Sequence, residues 1–438
     1  MTATFERAPG GLWRHADFLK LWAAQAVSAL GARITREGLP FAAVVSLGAS
    51  PAQVGVLAAL SRGPAILVGL VGGGFVDRSR RRPILIGADL GRAVALATIP
   101  LAAWWGRLAM DQVYVVAAVV GALSVLFDIA DHAYLPGLIG RDLLVDGNAK
   151  LALTESVAEI GGPGLYGVLF QLLTAPLAIA VNAATYLFSG VVLAGIRTPE
   201  PAPAPAAVRP HTGGKDGSRF AADFRAGLAI ALTHPALRPL LAVTVLSALF
   251  GSFYSALYTL YAVRVLGLSA PMLGATVATG GVAALFGAAV AGAAIRRLGL
   301  GRAFVFTGVV ASAGSLLIPL AGGTPVAGMA MLIGAQLIGD SFGTVTEIAG
   351  RTLRQTLVPP ELLGRVGGVF ATLPGVSGVA GAVLGGWLGS VLGARETLFI
   401  ASAGVIASPL LALFSPLARL NDPGAPSAGR GGGAISGP

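Results

Sequence analysis

Four charged residues lie inside long apolar stretches, where a charge is costly to place. Arg33, Arg36 and Glu37 fall in the first such stretch, and Arg62 falls in the second. A charge at the centre of a lipid bilayer costs about 2.5–3.5 kcal/mol on insertion scales, so such residues are normally functional or paired. Glu37 could carry a proton or bind a substrate, held by Arg33 or Arg36, with Arg62 completing the cluster. The alternative is a structural ion pair between Arg33 and Glu37, which are spaced i,i+4.

Two further acids, Asp340 and Glu159, lie in other apolar stretches and are candidates for the same chemistry. Asp340 has no obvious neighbour in the sequence and is our second candidate for a proton site. Glu159 is followed by a Gly-Gly-Pro-Gly run, which loosens backbone hydrogen bonding and permits close helix packing. Asp89 and Arg92 are spaced i,i+3, so we expect them to pair with each other.

The composition indicates a membrane protein. The 438 residues are 55% hydrophobic and 11% charged, whereas a soluble domain is about 25% charged. The chain has no cysteine, and its four histidines lack metal-ligand spacing, so we expect neither disulfides nor a metal site. The net charge of +10 lies beside the apolar stretches and favours contact with anionic lipid over nucleic acid.

No pattern in the sequence indicates an enzyme. There is no phosphate-binding GxxxxGK(S/T), no nucleophile elbow and no strand–helix setting for a dinucleotide. We therefore expect no catalytic residues and no cofactor, and ATP is not the expected energy source. An ion gradient would have to supply the energy.

Twelve stretches are long and apolar enough to cross a hydrocarbon core of roughly 30 Å. They lie at 18–46, 52–74, 84–105, 112–137, 152–174, 176–196, 239–263, 271–294, 303–321, 325–348, 364–391 and 396–418. Residues 197–238 separate six spans from six. This linker begins with a Pro- and Ala-rich run, predicted to be mobile, and continues in an amphipathic helix expected to lie on the membrane surface.

These spans predict an all-α membrane protein of two six-helix bundles. The predicted parts are an N-terminal bundle at 1–196, the linker at 197–238, a C-terminal bundle at 239–418 and a disordered cytoplasmic tail at 419–438. The alternative for the linker helix is a short extension of the seventh span.

The turn at residues 71–83, VGGGFVDRSRRRP, contains four arginines between the second and third spans. Arginines resist transfer across the membrane, so we expect this turn and both termini on the cytoplasmic side. In that orientation the external loops contain only Arg107, Arg264 and Arg395 of the basic residues.

Two motifs resemble signatures of a known family. The turn reads Gly73-x-x-x-Asp77-Arg78-x-x-Arg81-Arg82. This resembles the loop GxxxD(R/K)xG(R/K)(R/K) between helices 2 and 3 of the major facilitator superfamily, with Arg80 in place of the second glycine. The segment Gly162-Pro163-x-x-Tyr166-Gly167 resembles that family's antiporter signature GPxxGG, with Tyr166 in place of one glycine.

The two halves of the chain also resemble each other. LPGLIGRDLLVDGNA at 135–149 resembles QTLVPPELLGRVGGV at 355–369, with Asp142-Leu143-Leu144 matching Glu361-Leu362-Leu363 at an offset of 219 residues. The same offset carries Asp128 onto Glu347. Such internal repeats are typical of transporter folds. The turn and these paired stretches look closest to the bacterial branch that includes enterobactin and macrolide exporters.

The resemblance implies two pseudo-symmetric bundles around a cavity that opens alternately to either side. It implies a proton-coupled exporter of small amphipathic molecules, drug-like or siderophore-like, acting as a monomer in a bacterial inner membrane. Asp77 and Arg78 would then form a gate latch that joins span 2 to Asp128 or Asp131 of span 4 and to the span 11 region. Alternatively, the arginine cluster only fixes the topology.

Other functions remain open at this stage. Uptake or lysophospholipid flipping by the same fold is one alternative, and a non-transporting membrane receptor is another. Related exporters often place an aspartate where this chain has Ala32, so the resemblance carries no proton site over to this position.

Overall fold

The computed structural model describes residues 12–200 and 216–420, and these residues are almost entirely helical. The helices are α1 (Ala16–Ser46), α2 (Pro51–Asp77), α3 (Arg81–Trp104), α4 (Met110–Ile139), α5 (Leu144–Leu172), α6 (Ala175–Ala194), α7 (Asp216–Thr233), α8 (Leu237–Leu260), α9 (Ala270–Leu298), α10 (Leu300–Gly314), α11 (Leu317–Leu320), α12 (Pro325–Leu357), α13 (Leu363–Val391) and α14 (Ala394–Leu413). The predicted mobile run at 201–215 and residues 421–438 of the predicted tail lie outside the described residues.

Ten helices in the described part of the chain are long and apolar enough to cross a membrane. Helices α1 and α5 have 31 and 29 residues, so they are also long enough. Both carry several charged residues, which lower their mean hydropathy. The prediction of an all-α membrane protein is confirmed, and the helix count is consistent with twelve spans.

The predicted spans match the helices but miss several ends. Helix α5 begins eight residues before the predicted span, and α12 continues to Leu357, nine residues beyond it. The additional turns are rich in polar and charged residues, so hydropathy marks the apolar part of a helix and not its end. The ninth span is interrupted between α10 and α11.

Helices α1–α6 pack together as one half of the molecule, and α8–α14 form the other half. The halves meet through α2 against α13 and α5 against α9. We call the end of the molecule that holds the turn 78–80 the arginine face, and the other end the opposite face.

Among the described residues, the buried apolar cluster that joins the two halves lies towards the opposite face. One cluster there contains Phe41 and Phe170 of the first half together with Tyr261 of the second. Towards the arginine face each half has its own cluster, with Phe18 in the first and Phe304 in the second. The halves are therefore packed together at the opposite face.

The turn before α3 forms without the glycine that the family motif has at the position of Arg80. Arg80 has φ −70° and ψ 129°, an ordinary extended conformation. The backbone N–H groups of Arg81 and Arg82 donate to the Glu200 carboxylate at 2.6 and 3.1 Å. A carboxylate at a helix N-terminus satisfies free amides and the helix dipole, so a residue after α6 caps α3.

Helix α7 lies in the predicted linker and is separate from α8. The Nδ1 atom of His234 accepts hydrogen bonds from the N–H groups of Ala236 and Leu237, which start α8. Burial lowers the pKa of His234, which keeps the ring neutral and able to accept these hydrogen bonds.

Phe224 and Leu228 of α7 pack against the core of the second half. Part of the apolar side of α7 therefore faces protein, while Leu232 of the same stripe is exposed. The predicted position of this helix on the membrane surface stays a prediction.

Candidate functional site: the cavity between the halves

A cavity of about 710 Å³ lies between the two halves. Its walls come from α1, α2, α4 and α6 of the first half and α8–α12 of the second. The lining is mainly apolar. The larger polar side chains in it are Arg36, Glu37, Arg62, Tyr186, Tyr254, Tyr258 and Gln336. Ligand pockets are typically of this size and carry a few polar groups in apolar walls.

An ion network at one wall of the cavity ties α1 to α5. Arg36 donates to Glu159 (Nη2–Oε1, 2.8 Å) and to Glu37 (Nε–Oε1, 3.1 Å). Arg33 forms an ion pair with the other carboxylate oxygen of Glu159. Glu159 therefore neutralises two arginines, and Glu37 shares one of them.

The predicted i,i+4 pair between Arg33 and Glu37 is replaced by the pair between Arg33 and Glu159. The reason lies in Gly162, because a β-carbon added there would be 2.7 Å from Cγ of Arg33. Because Gly162 has no side chain, the Arg33 side chain can lie against α5, where it reaches Glu159. The sequence pointed to Glu159 but did not reveal that two helices meet at this point.

Arg62 lines the same cavity, as the sequence hypothesis required. Among the described residues it forms no ion pair with Glu37 or Glu159, so it faces the cavity as a cation. The buried hydroxyl of Tyr258 also lacks a hydrogen-bond partner in the described part of the chain. These two groups remain available to a ligand.

Asp340 lies behind the cavity wall, between α9 and α12. A β-carbon added to Gly280 of α9 would collide with its carboxylate and would lie 2.9 Å from Nε2 of Gln336. Gln336 and Gly339 line the cavity, whereas Asp340 does not. The structure therefore separates this candidate from the network around Glu37.

The residues of the predicted latch are spread over the arginine face. Asp77 and Asp128 are both exposed, and Asp131 accepts a hydrogen bond from Gln25 of α1. Gly73 has open space around it. The latch itself stays a prediction.

Two of the motif arginines make contacts within the first half. Arg82 donates through Nε to the carbonyl of Leu193 at 3.2 Å, and Arg81 lies 3.8 Å from Glu200. These contacts fix α3 to the end of α6.

The antiporter-like segment forms one of the two junctions between the halves. A β-carbon on Gly167 would lie 3.0 Å from Cα of Pro271, and one on Gly274 would lie 3.1 Å from Cα of Gly167. The carbonyl of Pro163 also contacts Gly274. Because Gly167 and Gly274 have no side chains, the backbones of α5 and α9 can pack in direct contact.

The other junction joins α2 to α13. A β-carbon on Gly55 would lie 2.8 Å from Cα of Gly386, and the reverse distance is also 2.8 Å. The N–H of Ala52 donates to Oγ of Ser390 at 3.0 Å. Our sequence reasoning did not name these residues, although the many glycines of α13 were a usable signal.

Comparison with known proteins gives a family and a fold. The profile described as Major Facilitator Superfamily matches residues 21–382. The chain is 28% identical over 385 residues to the MFS-type transporter YfiS of Bacillus subtilis, covering 85% of this chain and 87% of the relative. It is 27% identical over 370 residues to the multidrug efflux pump Tap of Mycolicibacterium fortuitum, covering 81% and 85%.

A crystal structure of a bacterial homologue of the iron transporter ferroportin, in its inward-facing state, superposes with a TM-score of 0.70. It is 16% identical and covers 92% of this chain and 98% of its own. At that identity the likeness concerns the fold alone.

Proposed function

Because the chain belongs to the Major Facilitator Superfamily of membrane transporters, we propose that it exports small amphipathic molecules by alternating access, driven by the proton gradient. The observation that carries this proposal is the cavity between the halves. Its walls are mainly apolar, and its polar side chains include the cations Arg36 and Arg62 and the acid Glu37. Such a lining suits a substrate with an apolar body and a polar or anionic group. The similarity to a multidrug efflux pump supports export over uptake.

The arginine face is proposed to lie in the cytoplasm of a bacterial cell, with the protein in the inner membrane and both termini inside. The turn with four arginines supports this orientation. The opposite face, where the halves pack together, is then external. In this state the cavity would be reached from the cytoplasm, where an exporter collects its substrate.

Coupling to protons would involve Glu37. Its carboxylate shares Arg36 with Glu159. A proton on Glu37 would remove that attraction and leave Arg36 to Glu159 alone, which changes the charge that a bound substrate meets. Asp340 is the second candidate, because it lies directly behind the cavity wall. No cofactor is needed for this cycle, and a monomer contains the complete cavity.

The test is the accumulation of dyes, macrolides, tetracyclines and siderophores in efflux-deficient cells, with and without an uncoupler. Cells would express the wild type, Asp77→Ala, Glu37→Gln or Glu155→Gln at matched membrane levels. Glu155 is exposed on α5, four residues before Glu159, so it is the control for removing an acid near the network.

The wild type and Glu155→Gln should lower the accumulation of at least one compound, and the uncoupler should abolish the effect. Glu37→Gln and Asp77→Ala should return accumulation to that of cells without the protein. Efflux that survives the uncoupler would contradict proton coupling, and equal accumulation across the panel would contradict export of these compounds.

A further inference from the structure

A second cavity, of about 390 Å³, lies inside the second half of the molecule. We call it the α12 pocket. It is enclosed by α8, α10, α12 and α14, and Phe370 of α13 closes one side. The α12 residues that line it run from Gly343 to Arg354. At 1.5 Å per residue they span about 16 Å along the helix axis, so the pocket is elongated.

The walls of the α12 pocket are mainly apolar. Leu240, Val243, Phe304 and Pro409 line it, and hydroxyl side chains also contribute, from Thr244, Ser247, Ser312 and Thr346. Gly343 leaves room at the end farther from Arg354, since a β-carbon added there would meet no atom within 4 Å. A single apolar chain fits this shape, because the volume is near the lower end of the range for ligand pockets.

A cation stands at the end of the α12 pocket nearer the arginine face. The guanidinium of Arg354 lies 5.0 Å from the centre of the Phe370 ring, and its side chain is half-buried. Among the described residues it has no carboxylate partner. The acid nearby, Glu347, is already paired at 2.8 Å with Arg351, and both of these side chains are well exposed. A half-buried cation beside an apolar pocket favours an anionic ligand.

We propose that the α12 pocket binds an amphiphile with one anionic head group and one apolar chain. The head group, a carboxylate or a phosphate, pairs with Arg354. The chain extends along α12 towards Gly343. This site is separate from the cavity between the halves, although Ala311 lines both, so an occupied α12 pocket adjoins the transport cavity. The proposal does not depend on the direction or coupling of transport.

The test uses the purified full-length protein in nanodiscs of phosphatidylcholine. The probe is a 16-carbon carboxylate with a photoreactive diazirine near the end of its chain. After illumination, mass spectrometry identifies the labelled peptides. Arg354→Gln removes the cation, and Gly343→Leu fills the end of the pocket farther from Arg354. Arg107→Gln and Gly364→Leu are the matched controls, because both positions are exposed and line neither cavity.

We expect saturable labelling of peptides from α8, α10 and α12. Arg354→Gln should weaken binding about tenfold or more, the usual effect of losing a hydrogen bond to a charged group. Gly343→Leu should abolish labelling of these peptides, while both controls label as the wild type does. All variants should elute as the same species in size-exclusion chromatography, which separates loss of binding from loss of fold.

Competition identifies the head group and the need for a chain. Laurate or dodecyl phosphate should displace the probe, and whichever does so more strongly identifies the preferred head group. Dodecanol, which lacks the charge, and inorganic phosphate, which lacks the chain, should not displace it. Equal labelling of Arg354→Gln and wild type, labelling confined to the cavity between the halves, or displacement by inorganic phosphate would each overturn the proposal.

Discussion

Glu159 forms ion pairs with two arginines of α1 at once, so its carboxylate is the centre of the charged network at the cavity wall. Arg33 and Arg36 repel each other along α1, and the carboxylate of Glu159 offsets that repulsion from the neighbouring helix. Among the described residues, Glu37 pairs with Arg36 alone. Glu159 therefore contributes more contacts to the network than Glu37 does.

At the residue scale we predict that Glu159→Gln destabilises the protein more than Glu37→Gln does. Loss of Glu159 leaves Arg33 without a carboxylate partner among the described residues, whereas loss of Glu37 leaves both arginines paired. The cost should be about 1–2 kcal/mol, since hydrogen bonds to charged groups are worth about 1.5–3 kcal/mol and this site is partly exposed. Thermal unfolding in detergent measures the difference.

The control for this prediction is Glu155→Gln on the same face of the membrane segment, one turn earlier. Its side chain is exposed, so its unfolding temperature should stay at the wild-type value. Equal unfolding temperatures for Glu159→Gln and Glu155→Gln would show that the ion network contributes nothing to stability.

Sequence reasoning at this scale identified the charged residues of the membrane segments but not all of their partners. The charges in the membrane segments could be identified because a charge in an apolar stretch is rare and costly. The i,i+4 spacing then predicted a pair between Arg33 and Glu37, because this rule considers contacts within one helix only. The partner on α5 depends on the close approach at Gly162, which is a property of helix packing and not of local spacing.

Helices α3, α4 and α6 are joined by one buried ion pair. Arg92 of α3 pairs with Asp89, which also accepts from the hydroxyl of Ser189 on α6 at 2.5 Å. The Arg92 guanidinium lies 4.6 Å from the ring centre of Phe127 on α4 and 4.3 Å from that of Tyr186. The predicted i,i+3 pair is present, and the structure adds that it connects three helices.

At the element scale we predict that Asp89→Asn lowers the free energy of unfolding by about 3–5 kcal/mol, the usual cost of leaving a buried charge without its partner. Asp89 is fully buried and Arg92 is 3% exposed. The double variant Asp89→Asn/Arg92→Met should recover part of the loss, because no buried charge is then left unpaired. Unfolding in detergent would report both effects.

Asp111→Asn is the control, because Asp111 is exposed at the start of α4. A double variant that is less stable than Asp89→Asn alone would contradict this explanation. In that case the Arg92 side chain would hold the three helices together by its ring contacts and not through its charge.

The membrane spans could be predicted well, because hydropathy defines them. Helix ends and helix positions could be predicted only poorly, because contacts within the protein determine them. The spans were visible because twelve apolar runs are separated by polar turns. The ends of the helices could not be predicted, because polar residues can continue a helix beyond the lipid. The additional turns of α12 are an example. The position of α7 on the membrane surface stays a prediction. Phe224 and Leu228 suit a membrane surface and a protein surface equally, and the sequence alone could not show that they pack against the second half.

At the scale of the whole molecule, the two halves are packed together at the opposite face and separate at the arginine face. Towards the opposite face they share a buried cluster, and the junctions at Gly55 with Gly386 and Gly167 with Gly274 bring backbones together. Towards the arginine face their cores are separate. The internal repeat in the sequence predicted two similar halves. It could not predict which face is closed, because a repeat in the sequence is compatible with either arrangement of the two halves.

At this scale we predict that Gly386→Leu shifts the molecule towards the state that is open at the opposite face. The added side chain would collide with the backbone of Pro51 and Gly55, so the closed junction becomes costly while the alternative state is unaffected. The chain has no cysteine, so spin labels can be placed without background. One pair, Ser46→Cys with Leu392→Cys, spans the opposite face, and another, His132→Cys with Gln355→Cys, spans the arginine face.

Gly386→Leu should lengthen the first label distance by several ångströms and shorten the second, as double electron–electron resonance would report. Gly87→Leu is the control, because Gly87 is exposed and a β-carbon there meets no atom within 4 Å. A rigid pair of halves rocking about a central cavity must change both distances in opposite senses. If the first distance lengthened while the second stayed fixed, the two faces would move independently, and alternating access by rocking would be wrong for this chain.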